Sequence, residues 1–238
     1  MDAASLKNAA RSFGAAQVGV ADLALLRGIA TEPADLLDGF SRAVSLAVPL
    51  SGPIMDALGD KPTPLYARHY LMVNGLLDDI ALRVGLMLQE SGARSLPLPA
   101  SQVLDPVAWT SYLSHKAVAV AAGVGWQGKS LLTVSPLFGP RIRLATVLTD
   151  APLAPDKPLK NRCGSCDKCA QACPAGAIKN VNTGWHYASR DEALHFERCA
   201  VKVTTEFAAL PGVGHPICGV CVRVCPFGAR KKKIAPGN

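Results

Sequence analysis

Two hydrophobic rhythms run through the first two thirds of the chain. Short runs dense in small and β-branched apolar residues, AQVGVA at 16–21, AVSLAVP at 43–49 and RLATVLT at 143–149, read as buried strands. The second run stops at Pro49, and Leu50, Ser51, Gly52 and Pro53 lead into a turn. Helical spacing appears over 4–13, ending near Gly14. It returns over 67–89, where Leu76, Ile80, Val84 and Met87 form an apolar face, Leu77 and Leu88 broaden it, and Gly92 stops it. Beyond that helix, 93–101 reads as a strand with a proline-rich exit and 112–122 as an alanine-rich helix. Residues 130–135 read as a strand linked to 143–149 through Pro136, Gly139 and Pro140. Helices and strands mixed in this way predict an α/β (α+β) layer structure, with strand order left open.

Three prolines and three charges in APLAPDKPLK, residues 151–160, mark a boundary between a first domain, 1–155, and a second, 156–238. The linker is short, so the two are expected to pack together. No apolar run approaches the roughly 20 residues of a membrane span; AVAVAAGVGW from Ala117 is broken by Gly123 and Gly125. Residues 1–15 show no apolar stretch after a basic start, so no export signal is read. A cytoplasmic protein without membrane insertion is expected, and there thiols stay reduced.

Charge and cysteines change the picture of the second domain. Residues 1–155 carry twelve Lys/Arg and twelve Asp/Glu, whereas 156–238 carry thirteen and six, so the whole net charge of +7 lies there. All eight cysteines lie there too: Cys163, Cys166, Cys169 and Cys173, then Cys199, then Cys218, Cys221 and Cys225. CGSCDKCAQACP is the C-x2-C-x2-C-x3-C-P run of two-cluster ferredoxins, whose fourth cysteine ligates the other cluster. By that crossed rule Cys163, Cys166, Cys169 and Cys225 hold one [4Fe-4S] cluster, and Cys173, Cys199, Cys218 and Cys221 hold the second. Pro174 and Pro226 follow the crossing cysteines. Two four-cysteine zinc sites fit the count but come as paired C-x2-C knuckles. Each oxidised cube with its thiolates carries about −2, so much of the basic excess offsets clusters. The tail Arg230, Lys231, Lys232 and Lys233 is left as a basic stretch able to meet phosphate or an acidic redox partner.

Two pieces of the first domain carry further chemistry. Gly123, Val124, Gly125, Trp126, Gln127, Gly128, Lys129 and Ser130 satisfy the phosphate-loop expression GxxxxGK[ST]. A helix precedes this loop and a strand follows it, the reverse of a nucleotide triphosphatase, so Gly123, Gly125, Trp126, Gly128, Lys129 and Ser130 are read as a cofactor-facing loop. Tyr66-Ala67-Arg68-His69-Tyr70 opens the long helix, and His115-Lys116 precedes the loop; His69, Tyr70 and His115 are candidate proton donors.

From about Tyr66 to Ala229 the order of motifs, the GVGWQGKS loop, GPRIRLATVLTDAPL, CGSCDKCAQACPAGAI, RCA and GHPICGVCVRVCPFG, resembles the epoxyqueuosine reductase-like proteins. The resemblance implies a nitroreductase-like, cobalamin-binding α/β domain, related also to reductive dehalogenases, with a ferredoxin-like domain that feeds it electrons. It also places Cys199 as the isolated ligand of the second cluster. Departures accompany it: the position about fourteen residues before Gly123, acidic in the tRNA enzymes, is Trp109, with Asp105 off register, His115 replaces a second acid, and YARHY lacks the usual acidic residue. The helical-repeat extension of those enzymes is not found. The implied function is an iron–sulfur oxidoreductase that takes electrons from ferredoxin or flavodoxin and passes them to a corrinoid, cobalamin or a corrinoid protein, in a pocket beside Trp126 and Lys129. Alternatives are a flavin-dependent reductase, a non-catalytic electron carrier, and epoxyqueuosine reduction on tRNA.

Overall fold

The computed structural model describes residues 1–228; the basic tail at Arg230, Lys231, Lys232 and Lys233 lies outside them. The first domain is a four-stranded antiparallel sheet in the order β1, β2, β6, β3, where β1 is Gln17–Asp22, β2 Arg42–Pro49, β3 Ser95–Leu98 and β6 Ile142–Thr149. The central pair runs in register from Arg42 opposite Thr149 to Pro49 opposite Ile142. Both faces of that pair are covered, which is why β2 reads as a continuous apolar run and not as an alternation.

One face packs against α1 (Ala3–Ser12) and α3 (Pro64–Glu90): Val44, Leu46, Val48, Ala145 and Val147 share a core with Leu6, Leu77, Ile80, Val84 and Leu88. The other face meets α4 (His115–Ala121), where Ala43, Ala47, Leu144 and Leu148 pack against Ala117, Val118 and Ala121. Small residues let α4 lie unusually close. A Cβ on Gly19 of β1 would stand 2.1 Å from the Ala122 carbonyl oxygen, so only glycine fits there.

Three elements differ from the sequence expectation. The buried face of α3 is centred on Val73, Leu77, Ile80, Ala81, Val84 and Leu88, while Leu76 is 39% exposed and Met87 half-buried. The helix is rotated so that Leu77 and Leu88 are central and Leu76 lies at the edge, near Gly14. The turn after β2 contains a short helix, α2 (Gly52–Asp56), begun by Pro53 in its first turn. The strand expected over 130–135 shrinks to β5 (Thr133–Val134), paired with β4 (Trp126–Gln127) in a small hairpin. Leu131 adopts a left-handed φ of 62° to close that hairpin, and this ends any longer strand.

The second domain is built from short helices: α5 (Lys168–Gln171), α6 (Arg190–Ala193), α7 (Phe196–Val201) with a π-helical continuation over Lys202–Phe207, and α8 (Val220–Arg223). Val213, Ile217 and Val222 join the core of the first domain, as the short linker implies. Arg141 seals the junction: nearly buried, it reaches Asp56 of α2 at 2.7 Å and the Arg223 carbonyl of α8 at 3.2 Å. No helix among the described residues is long and apolar enough to cross a membrane.

Candidate functional site

The cysteines gather across the sequence, not along it. Burial first, then the nearby Cys163, Cys225 and Cys166, push the Cys169 thiol up to about 11. Cys225 is raised by burial and by Cys163 and Cys166, so it sits with the first run and not with its own neighbours. Burial followed by Cys199 and Cys173 raises Cys218 to about 11, and burial with Cys173 raises Cys199. Cys221 is raised well above its ordinary value, by burial and then by Cys218, Cys199, Cys169 and Cys173. Cys169 and Cys225 thus lie in the field of Cys163 and Cys166, Cys199 and Cys218 in that of Cys173, and Cys221 in that of Cys169 as well as of Cys173, Cys199 and Cys218. No three His, Cys, Asp or Glu among the described residues stand close enough to hold a single ion, whereas thiolates sharing one zinc would lie within about 4 Å of each other. Four thiols suit the corners of one cubane, and eight those of two.

Local structure holds each set in place. Asn161 accepts the Cys163 amide at 2.8 Å and donates to the Gln127 and Thr183 carbonyls, fixing the first ligand to β4. The Ala177 amide donates to Cys173 Sγ at 3.3 Å, a bond that stabilises a thiolate. Asn161 was missed in the sequence reading, because an asparagine two residues before a cysteine is indistinguishable there from a loop residue.

The glycine loop lies beside the cysteines of the second domain. Gly128, Lys129 and Ser130 line a small hollow together with Cys163, Cys166, Cys169, Cys221, Cys225 and Phe227. Lys129, 5% exposed, donates to the Cys166 carbonyl at 3.0 Å. Gly123 and Gly125 face backbone instead: a Cβ on either would stand 2.5 Å from a carbonyl oxygen, of Lys157 and of Val134. Trp126 is buried with its ring edge-on to Phe227. These residues therefore dock one domain on the other.

A cavity of about 450 Å³ lies at the junction of the two domains. Its walls come from the start of α3, the loop 100–114, the start of α4, β6 and the segment His215–Ile217 of the second domain. Arg143 organises one wall: its guanidinium lies 4.3 Å from the Tyr70 ring centre and donates to Asn74 Oδ1, Tyr70 Oη and Ser101 Oγ at 3.0, 3.0 and 3.1 Å. Tyr70 Oη and Ser101 Oγ are themselves 2.7 Å apart. Lys116, at the start of α4, also lines the cavity, its pKa lowered by burial and then by Arg143 and Arg190. Among the described residues neither Asp nor Glu lines the cavity. Tyr66 connects this cavity to the second thiol set: it is raised by burial, lies within the field of Cys221 and Cys218, and meets Tyr70 edge-on at 6.4 Å.

Of the three candidate proton donors, only Tyr70 has its polar group arranged on the cavity. His115 lines it, yet both nitrogens are engaged, Nε2 with the Pro99 carbonyl at 2.9 Å and Nδ1 with Thr146 Oγ1 at 2.8 Å. The carbonyl can only accept, so Nε2 carries the proton and Nδ1 accepts from threonine; burial holds the pKa at about 4. His69 is not a lining residue, and its Nε2 accepts the Ser51 amide at 2.9 Å. Trp109 fills the wall at left-handed φ 55° and meets Phe196 of α7 edge-on. Asn74, Ser101 and Arg143 join the cavity from three separate segments, and only the fold reveals them.

Residues 162–228 match the family model of the 4Fe-4S double cluster binding domain. The epoxyqueuosine reductase of Bacillus subtilis (strain 168) is 36% identical over 129 residues, 51% of this chain and 31% of that protein. A tetrachloroethene reductive dehalogenase of Sulfurospirillum multivorans is 35% identical over 118 residues, 47% of this chain and 23% of that protein. The chain thus spans at most about a third of the length of these relatives. Among solved structures, a catabolic reductive dehalogenase in complex with 3-bromo-4-hydroxybenzoic acid superposes with TM-score 0.75 at 19% identity, over 97% of this chain and 32% of the other. An epoxyqueuosine reductase with an epoxyqueuosine-modified tRNA stem loop superposes with TM-score 0.63 at 24% identity, over 95% and 65%. The chain is therefore related to both groups and shares their fold, and its second domain is an iron–sulfur domain of the double-cluster type.

Proposed function

We propose that this protein is an iron–sulfur reductase whose two [4Fe-4S] clusters relay single electrons to a corrinoid held at the cavity. In this reading 1–155 is the cofactor domain and 156–238 the cluster domain. Cys163, Cys166, Cys169 and Cys225 hold the outer cluster, and Cys173, Cys199, Cys218 and Cys221 the inner one. The observation that carries the reading is Tyr66, which lines the cavity and lies against Gly219 between Cys218 and Cys221, so that the cysteine-rich domain borders the cavity there.

When bound, a corrinoid supplies a cobalt centre that accepts electrons singly and reacts with electrophilic carbon. The chain's own residues bind, orient and deliver protons. Arg143 holds Tyr70 Oη and Ser101 Oγ in one hydrogen-bonded group, so Tyr70 has a proton to give and a cation beside the oxygen that loses it. Lys116, its pKa lowered, is a second acid at the cavity. A volume of about 450 Å³ suits a substrate and the reacting face of a large cofactor. The remainder of a corrinoid would then rest outside the cavity or on a corrinoid protein. The same volume would hold a flavin, the second reading. A bare electron carrier has no use for a polar group converging on a cavity. Epoxide reduction on tRNA is set back by Trp109, where the tRNA enzymes place an acid.

Anaerobically reconstituted protein with about eight iron per chain should perturb the spectrum of added cobalamin and retain it on gel filtration. An unchanged cobalamin spectrum together with retention of flavin would transfer the site to the flavin reading.

A further inference from the structure

Between residues 157 and 168 the chain carries four cations, Lys157, Lys160, Arg162 and Lys168, and one carboxylate, Asp167. All four cations are exposed, and none takes part in an ion pair among the described residues. The nearby acids are engaged: Asp167 accepts from Gln171 Nε2 at 2.6 Å, and Asp156 is held by Lys7 and by the Val20 amide, both at 2.7 Å. The excess of positive charge in the second domain is therefore displayed locally.

Its position is specific. Lys168 lines the hollow of the outer thiol set, and the Arg162 guanidinium lies 5.8 Å from the ring centre of Trp126, which backs that hollow through Phe227. The Lys157 carbonyl closes against Gly123 at the start of the same loop. None of the four lines the cavity, whose own cations are Lys116 and Arg143. Lys168 thus rims the cysteine-lined hollow, Arg162 lies behind it, and none of the four cations lines the cavity.

We infer that Lys157, Lys160, Arg162 and Lys168 form the docking surface for an acidic one-electron carrier protein that reduces the outer cluster. The inference rests on the two-cluster reading. One electron leaves the carrier's reduced centre and lowers the outer cubane from the 2+ to the 1+ state, with no bond made or broken. Opposite charge speeds the encounter and orients the carrier over the hollow, where the transfer distance is shortest. A nucleic acid would also seek cations, but a nucleotide that is to react must lie at the cavity mouth, and the patch is not there.

Stopped-flow reduction by a photoreduced acidic [2Fe-2S] ferredoxin tests this, with a neutral deazaflavin photoreductant as control. The rate for the unmodified protein should fall steeply as ionic strength rises. The triple variant Lys157→Glu, Lys160→Glu, Arg162→Glu should be reduced about tenfold more slowly at low salt, and the Gln triple should lie between, with iron content and deazaflavin reduction unchanged. A salt-independent rate in unmodified protein with about eight iron per chain would overturn the docking surface while leaving the clusters intact. Loss of tRNA binding in the Glu variant with an unchanged ferredoxin rate would overturn it in favour of RNA. Unmodified protein with about four iron or fewer would instead defeat the two-cluster reading beneath it.

Discussion

The indole of Trp126 meets the ring of Phe227 edge-on, with centroids 4.8 Å apart and planes at 79°. This contact joins the glycine loop of the first domain to the residue two beyond the last cysteine, and it makes the loop part of the outer cluster's seat. Trp126→Ala removes one of the largest fully buried side chains, at a cost of about 3–5 kcal/mol. Thermal unfolding under anaerobic conditions should show a lower midpoint, and the iron lost first should be that of the outer cluster, read by EPR after reduction.

Lys129 places a nearly buried cation against the Cys166 carbonyl with no carboxylate in its hollow. A positive charge there favours the more negative, reduced cluster. Lys129→Met should shift the outer cluster to lower potential by about 60 mV, a tenfold change in its one-electron equilibrium. The inner cluster should keep its potential in the same EPR-monitored titration, and a shift of both equally would assign the effect to loosened packing.

Gly139 has φ 60°, and a Cβ there would lie 2.3 Å from the Gly228 amide nitrogen. Gly139→Ala combines left-handed strain, about 1–3 kcal/mol, with displacement of the backbone behind Cys225. Urea unfolding should register the loss. Gly184→Ala, where the added Cβ meets nothing within 4 Å, is the control expected to stay near the parent.

His115 gives a pH signature. Its folded pKa of about 4 lies below the ordinary 6.5, so the unfolded chain binds more protons between those values. Stability from the buried neutral imidazole is present above pH 6.5 and is lost as pH falls towards 4, by about 3 kcal/mol in all. His115→Gln should flatten the fall in melting temperature between pH 7 and pH 5 relative to the parent. An equally steep fall in the variant would place the acid sensitivity elsewhere.

The sequence was most legible where one physical constraint acts alone. Buried strands β2 and β6 show as unbroken apolar runs because both faces are covered, and the cysteine spacing marks the double-cluster domain that the family match over 162–228 bears out. Leu76 and Met87 were misplaced because α3 has apolar residues almost all round, with Leu65, Met72, Leu82 and Leu86 exposed, so periodicity alone could not set its rotation. The glycine loop was recognised as special, but its purpose depends on a second domain packing against it: Gly123, Gly125 and Gly128 are small because carbonyls, Val134 and Cys163 stand close by. The cavity was least legible, since Tyr70, Ser101, Lys116 and Arg143 meet only once the sheet and helices are assembled.

The central claim is that the eight cysteines form two crossed clusters. Iron and acid-labile sulfide measured on anaerobically reconstituted Cys225→Ser, beside the parent, tests it most directly. The expected result is about eight iron in the parent, and in the variant a defect confined to the cluster of Cys163, Cys166 and Cys169, with the other EPR signal intact. A variant that loses the cluster of Cys218 and Cys221 instead, or a parent with about four iron or fewer, would contradict it.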